Sequence, residues 1–263
     1  IQKGRANANK LMNRLLLQLT EKFDVKIAAI DGGSLRNAIP RESTSIIVCD
    51  AAKTDQIKNH VAELGMIYKT ENQLTDPNLA VEISSAALPS VVMEPSFQRN
   101  FLKAIYACPN GIYRMSPAIA GLVQTSNNVA RVLAGDGKFT VQCLTRSSVD
   151  SEKYDLADAI RSAFELCGGS VTFSGAYPGW VPNPSAPVIK MMSDLYQKMF
   201  NEPANVDAIH AGLECGILGT NYPGMQMISF GPNIFGAHSP DEKVQISSVQ
   251  KFWKYLLEVL KEI

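Results

Sequence analysis

The stretch LVQTSNNVARVLAGDGKFTVQCL, residues 122–144, decides the fold. Leu122–Leu133 and Phe139–Leu144 read as strands, and Ala134-Gly135-Asp136-Gly137 between them holds an Asp-Gly pair, whose two positions accept the positive φ of a tight turn. An antiparallel hairpin follows. On its N-terminal side Phe97, Phe101 and Ile105 lie four apart on a helix that stops before Pro109. On its C-terminal side Leu156, Ile160 and Phe164 mark a helix closed by Gly168-Gly169, and Val171-Thr172-Phe173 reads as a last strand.

The same order, helix, strand, strand, helix, strand, is present earlier. Leu11, Leu15, Leu16 and Leu19 line one helical face, Val25–Ile30 and Ala38–Cys49 read as paired strands, and Ile57, Val61 and Leu64 mark a helix ended by Gly65. Leu79–Ile83 alternates apolar and polar residues as a third strand. Residues 1–87 and 94–175 therefore form two α/β units of one pattern, without shared residues that would make a sequence repeat. After Pro178-Gly179-Trp180 and a proline-rich link, Val188, Met191, Leu195 and Met199 mark a helix, Val206–Ile209 and Met225–Phe230 strands, and Val249–Leu260 an amphipathic helix with Ser247 or Ser248 as N-cap. The expected division is a domain at 1–175 and a thinner block at 176–263, whose core extends into chain not present here.

Composition narrows the function classes. The 263 residues carry 25 basic and 25 acidic side chains, so the clustered positive charge that drives nucleic-acid or anionic-membrane binding is missing. No apolar run approaches the ~20 residues needed to cross a bilayer. Cys49, Cys108, Cys143, Cys167 and Cys215 are odd in number and never spaced as CxxC, which argues for a reducing, cytoplasmic setting over a disulfide framework or a cysteine zinc site. The chain opens on Ile1, straight into a helical pattern, as a processed or cut end would.

Three histidines allow each to be weighed. His60 reads as a surface helix residue. His210 ends the Val206–Ile209 run where a helix begins, a place that suits a ligand or, equally, a structural histidine at a turn. His238, in Phe235-Gly236-Ala237-His238-Ser239-Pro240-Asp241-Glu242, suits a metal ligand or a general base, but a lone His-x-x-Asp spacing is common and a catalytic zinc normally takes three protein ligands. Asn37 sits where the second strand starts and Arg146 at the end of a strand of the second unit; Asn can donate to a carbonyl and Arg can clasp a carboxylate, and each is equally readable as a turn or surface residue.

Longer motifs go further. Gly4-Arg5-Ala6-Asn7-Ala8-Asn9-Lys10, Gly33-Ser34-Leu35-Arg36-Asn37-Ala38-Ile39-Pro40-Arg41, Cys108-Pro109-Asn110-Gly111, Phe173-Ser174-Gly175-Ala176-Tyr177-Pro178-Gly179-Trp180, His210-Ala211-Gly212-Leu213-Glu214-Cys215-Gly216 and His238-Ser239-Pro240-Asp241-Glu242 together resemble the bacterial Xaa-His dipeptidases. These belong with carnosinase, carboxypeptidase G and the aminoacylases among the di-zinc peptidases. The resemblance implies a zinc-binding catalytic α/β domain interrupted by a lid or dimerisation domain. The two α/β units would be the lid, and residues from 176 the returning C-terminal part of the catalytic domain.

Residue by residue, the resemblance makes His238 the last zinc ligand, Asn37 and Arg146 holders of substrate carboxylate or tetrahedral intermediate, and His210 and Glu214 part of the segment lining the substrate side of the cleft. The other zinc ligands, the catalytic glutamate and a lid histidine would precede Ile1. The chain then reads as the C-terminal half of a cytoplasmic, dimeric dipeptidase, unable alone to hold two zinc ions or hydrolyse dipeptides. The alternative is a non-catalytic dimerisation or binding module.

Overall fold

The computed structural model describes residues 1–208, 214–236 and 241–263. These divide into two compact units, Ile1–Ala176 and Tyr177–Ile263.

In the first unit the Asn7 side chain accepts the Lys10 N–H at 3.1 Å, so helix α1 begins at Ala8 and runs to Phe23, where Asp24 stops it in the left-handed region. Strands β1 (Lys26–Gly32) and β2 (Ser43–Val48), helix α2 (Thr54–Glu71) and helix α3 (Pro95–Ala107) follow. Then come β3 (Gly111–Met115), β4 (Val123–Gly135), β5 (Lys138–Ser147) and helix α4 (Asp150–Glu165). Asp136 and Gly137 have φ of 51° and 73°, the two positive values of the tight hairpin turn expected from Asp-Gly.

The five strands form one antiparallel sheet. β5 pairs along β4 from Thr125↔Ser147 to Gly135↔Lys138. The opposite edge of β4 is shared: β3 pairs with Val123–Asn127 and β1 with Val132–Ala134, while β2 lies outside β1. Four residues, Asn128 to Arg131, are left between these two partners. The pleat sends Val129, Val132 and Ala134 of β4 and Cys143, Val141 and Phe139 of β5 into a core with Leu16 of α1, Phe101 and Ile105 of α3, and Leu156 and Ile160 of α4. A second cluster joins Leu15, Leu19 and Phe23 to Ile57, Val61, Leu64 and Tyr68 of α2.

The hairpin and most helices agree with the sequence pattern, but α2 runs through Gly65 to Glu71, its Val61, Leu64 and Tyr68 continuing the buried face, and several strands differ, β2 starting at Ser43 and not at Ala38. Segments 79–83 and 171–173 form no strand. Leu79 and Val81 do alternate against α2, and Val171 packs on the main core, so the alternation marks extended half-buried chain that has no strand beside it. β3, which was not anticipated, forms because the first half of β4 offers it an edge. The two pattern units are thus halves of one sheet.

In the second unit, helices α5 (Pro187–Phe200), α6 (Glu214–Asn221) and α7 (Ile246–Glu262) accompany a two-stranded pair, β6 (Ile234–Phe235) and β7 (Lys243–Val244). The described residues 206–208 and 225–230 are not strands; Phe230 instead packs its ring 5.3 Å from Phe252 and 5.7 Å from Tyr255. The N-cap of α7 is Gln245, not Ser247 or Ser248, because the Ser248 hydroxyl is already bonded to the Gln245 carbonyl and the Asn233 N–H. Met192, Leu195, Tyr255 and Val259 make a small core.

Candidate functional site

Past Gly32 the chain leaves the sheet into the segment that carries Asn37. Gly33 has φ of +72°, and a Cβ there would lie 1.9 Å from the Ala130 carbonyl oxygen, so only glycine lets the chain turn this closely over β4. Three anchors then fix the loop. The Arg131 guanidinium bonds the Gly33 carbonyl and reaches Asp31 at 2.5 Å. The Asn128 amide donates to the carbonyls of Arg36 at 3.3 Å and Ala38 at 2.7 Å. The Ala8 N–H donates to the Pro40 carbonyl at 3.1 Å. Asn37 stands exposed at the tip of this turn, between the two carbonyls that Asn128 holds.

Asn128 belongs to a buried asparagine cluster that fills the gap on the β4 edge. The Asn7 amide lies 2.9 Å from Asn110 Oδ1, 3.2 Å from Asn128 Oδ1 and 3.1 Å from the Val129 carbonyl. Asn110 Oδ1 accepts the Val129 N–H at 3.0 Å, and the Asn9 amide spans the carbonyls of Gly32 and Val129. Side-chain amides supply both a donor and an acceptor, so they can satisfy strand backbone groups where no neighbouring strand reaches.

Register places Arg146 relative to this turn. Arg146 is opposite Ser126, and Asn128 opposite Leu144, whereas Val129 and Cys143 point into the helix-covered core. Alternation therefore puts Ser126, Asn128 and Arg146 on the other face of the sheet, with Ser126 and Asn128 about 7 Å apart along β4. Arg146 is half-buried and forms no ion pair with a described residue. Beside the turn lies a cavity of about 270 Å³, lined by Ile39, Asn128, Asn110, Ile112 and Arg5 among others. A guanidinium such as that of Arg146 and an exposed carboxamide such as that of Asn37 can each bind an anionic or carbonyl oxygen of a small molecule, and neither lines this cavity.

Glu214 opens α6 in the second unit, exposed at a helix N-terminus that favours its charge. His210 and His238 lie outside the described residues. His60 is on α2 as expected, though less open than a surface histidine: its ring packs edge-on to Phe23 and Nδ1 lies 3.4 Å from Glu63. Among the described residues no three His, Cys, Asp or Glu side chains are grouped to hold a metal ion. The cysteines are free, with Cys108 and Cys143 sulfurs 3.8 Å apart. Burial draws the Lys10 ammonium down, yet it donates to the Ile105, Tyr106 and Cys108 carbonyls at 2.7, 2.9 and 2.8 Å and closes the C-terminus of α3.

Asparagines 7, 110 and 128 carry the turn, and composition did not single them out. The available signal was Asn127-Asn128 inside a strand, where asparagine is disfavoured unless its amide has work to do.

Known proteins resemble this chain in sequence and overall structure. Residues 1–73 match the M20 peptidase dimerisation domain. The whole chain is 41% identical to the cytosol non-specific dipeptidase of Escherichia coli K12, spanning 54% of that protein. The structure superposes on 99% of its length with the aminoacylhistidine dipeptidase of Vibrio alginolyticus, at a TM-score of 0.90 and 39% identity, covering 53% of it. The chain thus spans about half the length of these relatives. Among the described residues no helix is long and apolar enough to cross a membrane.

Proposed function

We propose, for a chain that belongs with the bacterial aminoacyl-histidine dipeptidases and carries a peptidase dimerisation domain over residues 1–73, that it supplies the substrate-holding lid of a cytoplasmic zinc dipeptidase. Asn37 and Arg146 bind the dipeptide's carboxylate or the oxyanion formed during hydrolysis. One observation supports this reading: Asn128, on the same face of β4 as Ser126, the residue opposite Arg146, donates to the carbonyls on either side of Asn37. A preset donor aimed at developing negative charge stabilises a transition state without reorganising.

In such an enzyme two zinc ions supply a water of lowered pKa. The described residues do not assemble a ligand set for them. His238 is proposed as one ligand, with His210 and Glu214 on the substrate side of the cleft and the other ligands in further chain. The 263 residues alone are then inactive. Zinc quantification and a dipeptide assay on the isolated chain test this, and robust hydrolysis would overturn it. In the full-length protein Arg146→Ala should lower kcat/KM at least about tenfold, the equivalent of one charge-assisted hydrogen bond. Unchanged kinetics would remove Arg146 from the site.

The isolated chain is better read as a dimerisation module, since residues 1–73 match a domain of that description. Two copies would associate symmetrically, with no role for nucleic acid or membrane. Sedimentation over a concentration series should show a dimer, and a monomer at all concentrations would refute it.

A further inference from the structure

We infer that Asn128 is a positioning residue for the dipeptidase reaction: it sets the orientation of Asn37 by gripping the backbone carbonyls on either side of it. This inference rests on the reading that Asn37 meets the substrate. A single carboxamide donates to Arg36 and Ala38, the residues immediately before and after Asn37, at 3.3 and 2.7 Å. The grip is itself held, because Asn128 Oδ1 accepts from Asn7 at 3.2 Å and the Asn128 side chain projects from the strand that also carries the partner of Arg146. Asn128 is only 5% exposed, so its amide finds these carbonyls and not solvent.

The turn has little else to define it locally. One backbone bond crosses it, from the Ala38 N–H to the Leu35 carbonyl at 3.2 Å, and the residues 34–38 are exposed. Without the Asn128 amide the Arg36–Ala38 peptides could rotate, and Asn37 would sample many directions. Both Asn128 hydrogens are used on carbonyls, a task that requires a donor pair. Aspartate has the same size and still accepts from Asn7, but it cannot donate and would repel both carbonyl oxygens.

The test is a double-mutant cycle in the full-length, zinc-loaded protein, with kcat and KM measured on one dipeptide. Asn128→Asp should lower kcat/KM about tenfold or more, as expected when a reacting contact is displaced by about 1 Å. The loss should divide between kcat and KM as it does for Asn37→Ala. On the Asn37→Ala background Asn128→Asp should cost less than about twofold more, since the contact it positions is gone. A full additive loss, or wild-type kinetics for Asn128→Asp while Asn37→Ala is impaired, overturns the positioning role and leaves the substrate role of Asn37 standing. Wild-type kinetics for Asn37→Ala overturns both. If Asn128→Asp does not fold, Asn128→Ser, which keeps one donor, should give a smaller loss with the same non-additivity, and additivity there would be equally fatal.

Discussion

Gln98 of α3 holds the start of β1 in place, and removing its amide should destabilise the first unit more than any surface change. β1 meets β4 only from Ile30 onward, so the same edge at Val25–Ile27 has no strand beside it. Gln98 substitutes for one. Its Oε1 accepts the Ile27 N–H at 2.7 Å, and its Nε2 donates to the Val25 carbonyl and the Thr20 hydroxyl, both at 2.9 Å. Val25 and Ile27 are 0% exposed and Gln98 1%, so water cannot replace these bonds. In Gln98→Ala two buried backbone groups lose their partners, at about 1 to 3 kcal/mol each, while the Thr20 hydroxyl loses only a donor and keeps its own hydrogen to give. A loss of about 3 to 4 kcal/mol follows, a large share of the 5 to 15 kcal/mol typical of a domain. Urea unfolding followed by circular dichroism gives the energy, and amide hydrogen exchange at Ile27 gives the local effect. Gln2→Ala, which removes one exposed bond to the Gly121 carbonyl, serves as the control and should change stability by less than about 0.5 kcal/mol. A Gln98→Ala loss below about 1 kcal/mol, or unchanged protection at Ile27, would refute the idea that this side chain replaces a strand.

Other outcomes follow from the same contacts. Burial pushes the Glu152 carboxyl up, but hydrogen bonds from Gln124 and Thr125 and the Arg114 charge outweigh it and leave the carboxyl below its ordinary range. Its stabilisation is therefore complete above the unfolded carboxylate range and is lost as pH falls through the lowered folded value. Glu152→Gln should cost about 1 to 2 kcal/mol at pH 7, and the melting-temperature gap from wild type should close on acidification; a gap independent of pH would exclude the charge. Gly33→Ala, which meets the Ala130 carbonyl at a positive φ, should cost more than about 2 kcal/mol, whereas Gly4→Ala, with open space around it, should cost about 1, as compared by thermal melts. Tyr255→Phe removes the bond to the buried Met192 carbonyl at 2.6 Å and should weaken the second unit by about 1 to 2 kcal/mol, read from the fluorescence of Trp253; no change would mean the hydroxyl is dispensable.

Much of the fold was legible locally. The Leu11–Leu19 stripe, the Phe97–Ile105 spacing and the Asp136-Gly137 turn each specify an element through interactions within a few residues, and each element is present. Leu79–Ile83 and Val171–Phe173 misled because alternation reports half-burial, and half-burial against a helix looks the same as half-burial in a sheet. β3 was invisible for the converse reason: five residues become a strand only because β4 presents an edge to them.

The candidate site divides in the same way. Asn37 and Arg146 could be singled out as residue types suited to oxygen recognition at places where chains turn or strands end, and long motifs tied them to a dipeptidase family. Amino-acid chemistry and local spacing suffice for that, because they are properties of neighbouring residues. That Arg146 and Asn128 share a sheet face depends on the β4–β5 register, and that the turn of Asn37 is held depends on Asn128, 90 residues from the Ala38 carbonyl it grips. Such pairings are decided by where the backbone leaves a donor or an acceptor without a partner, and only the assembled sheet, with four residues of β4 left between two partners, creates that need.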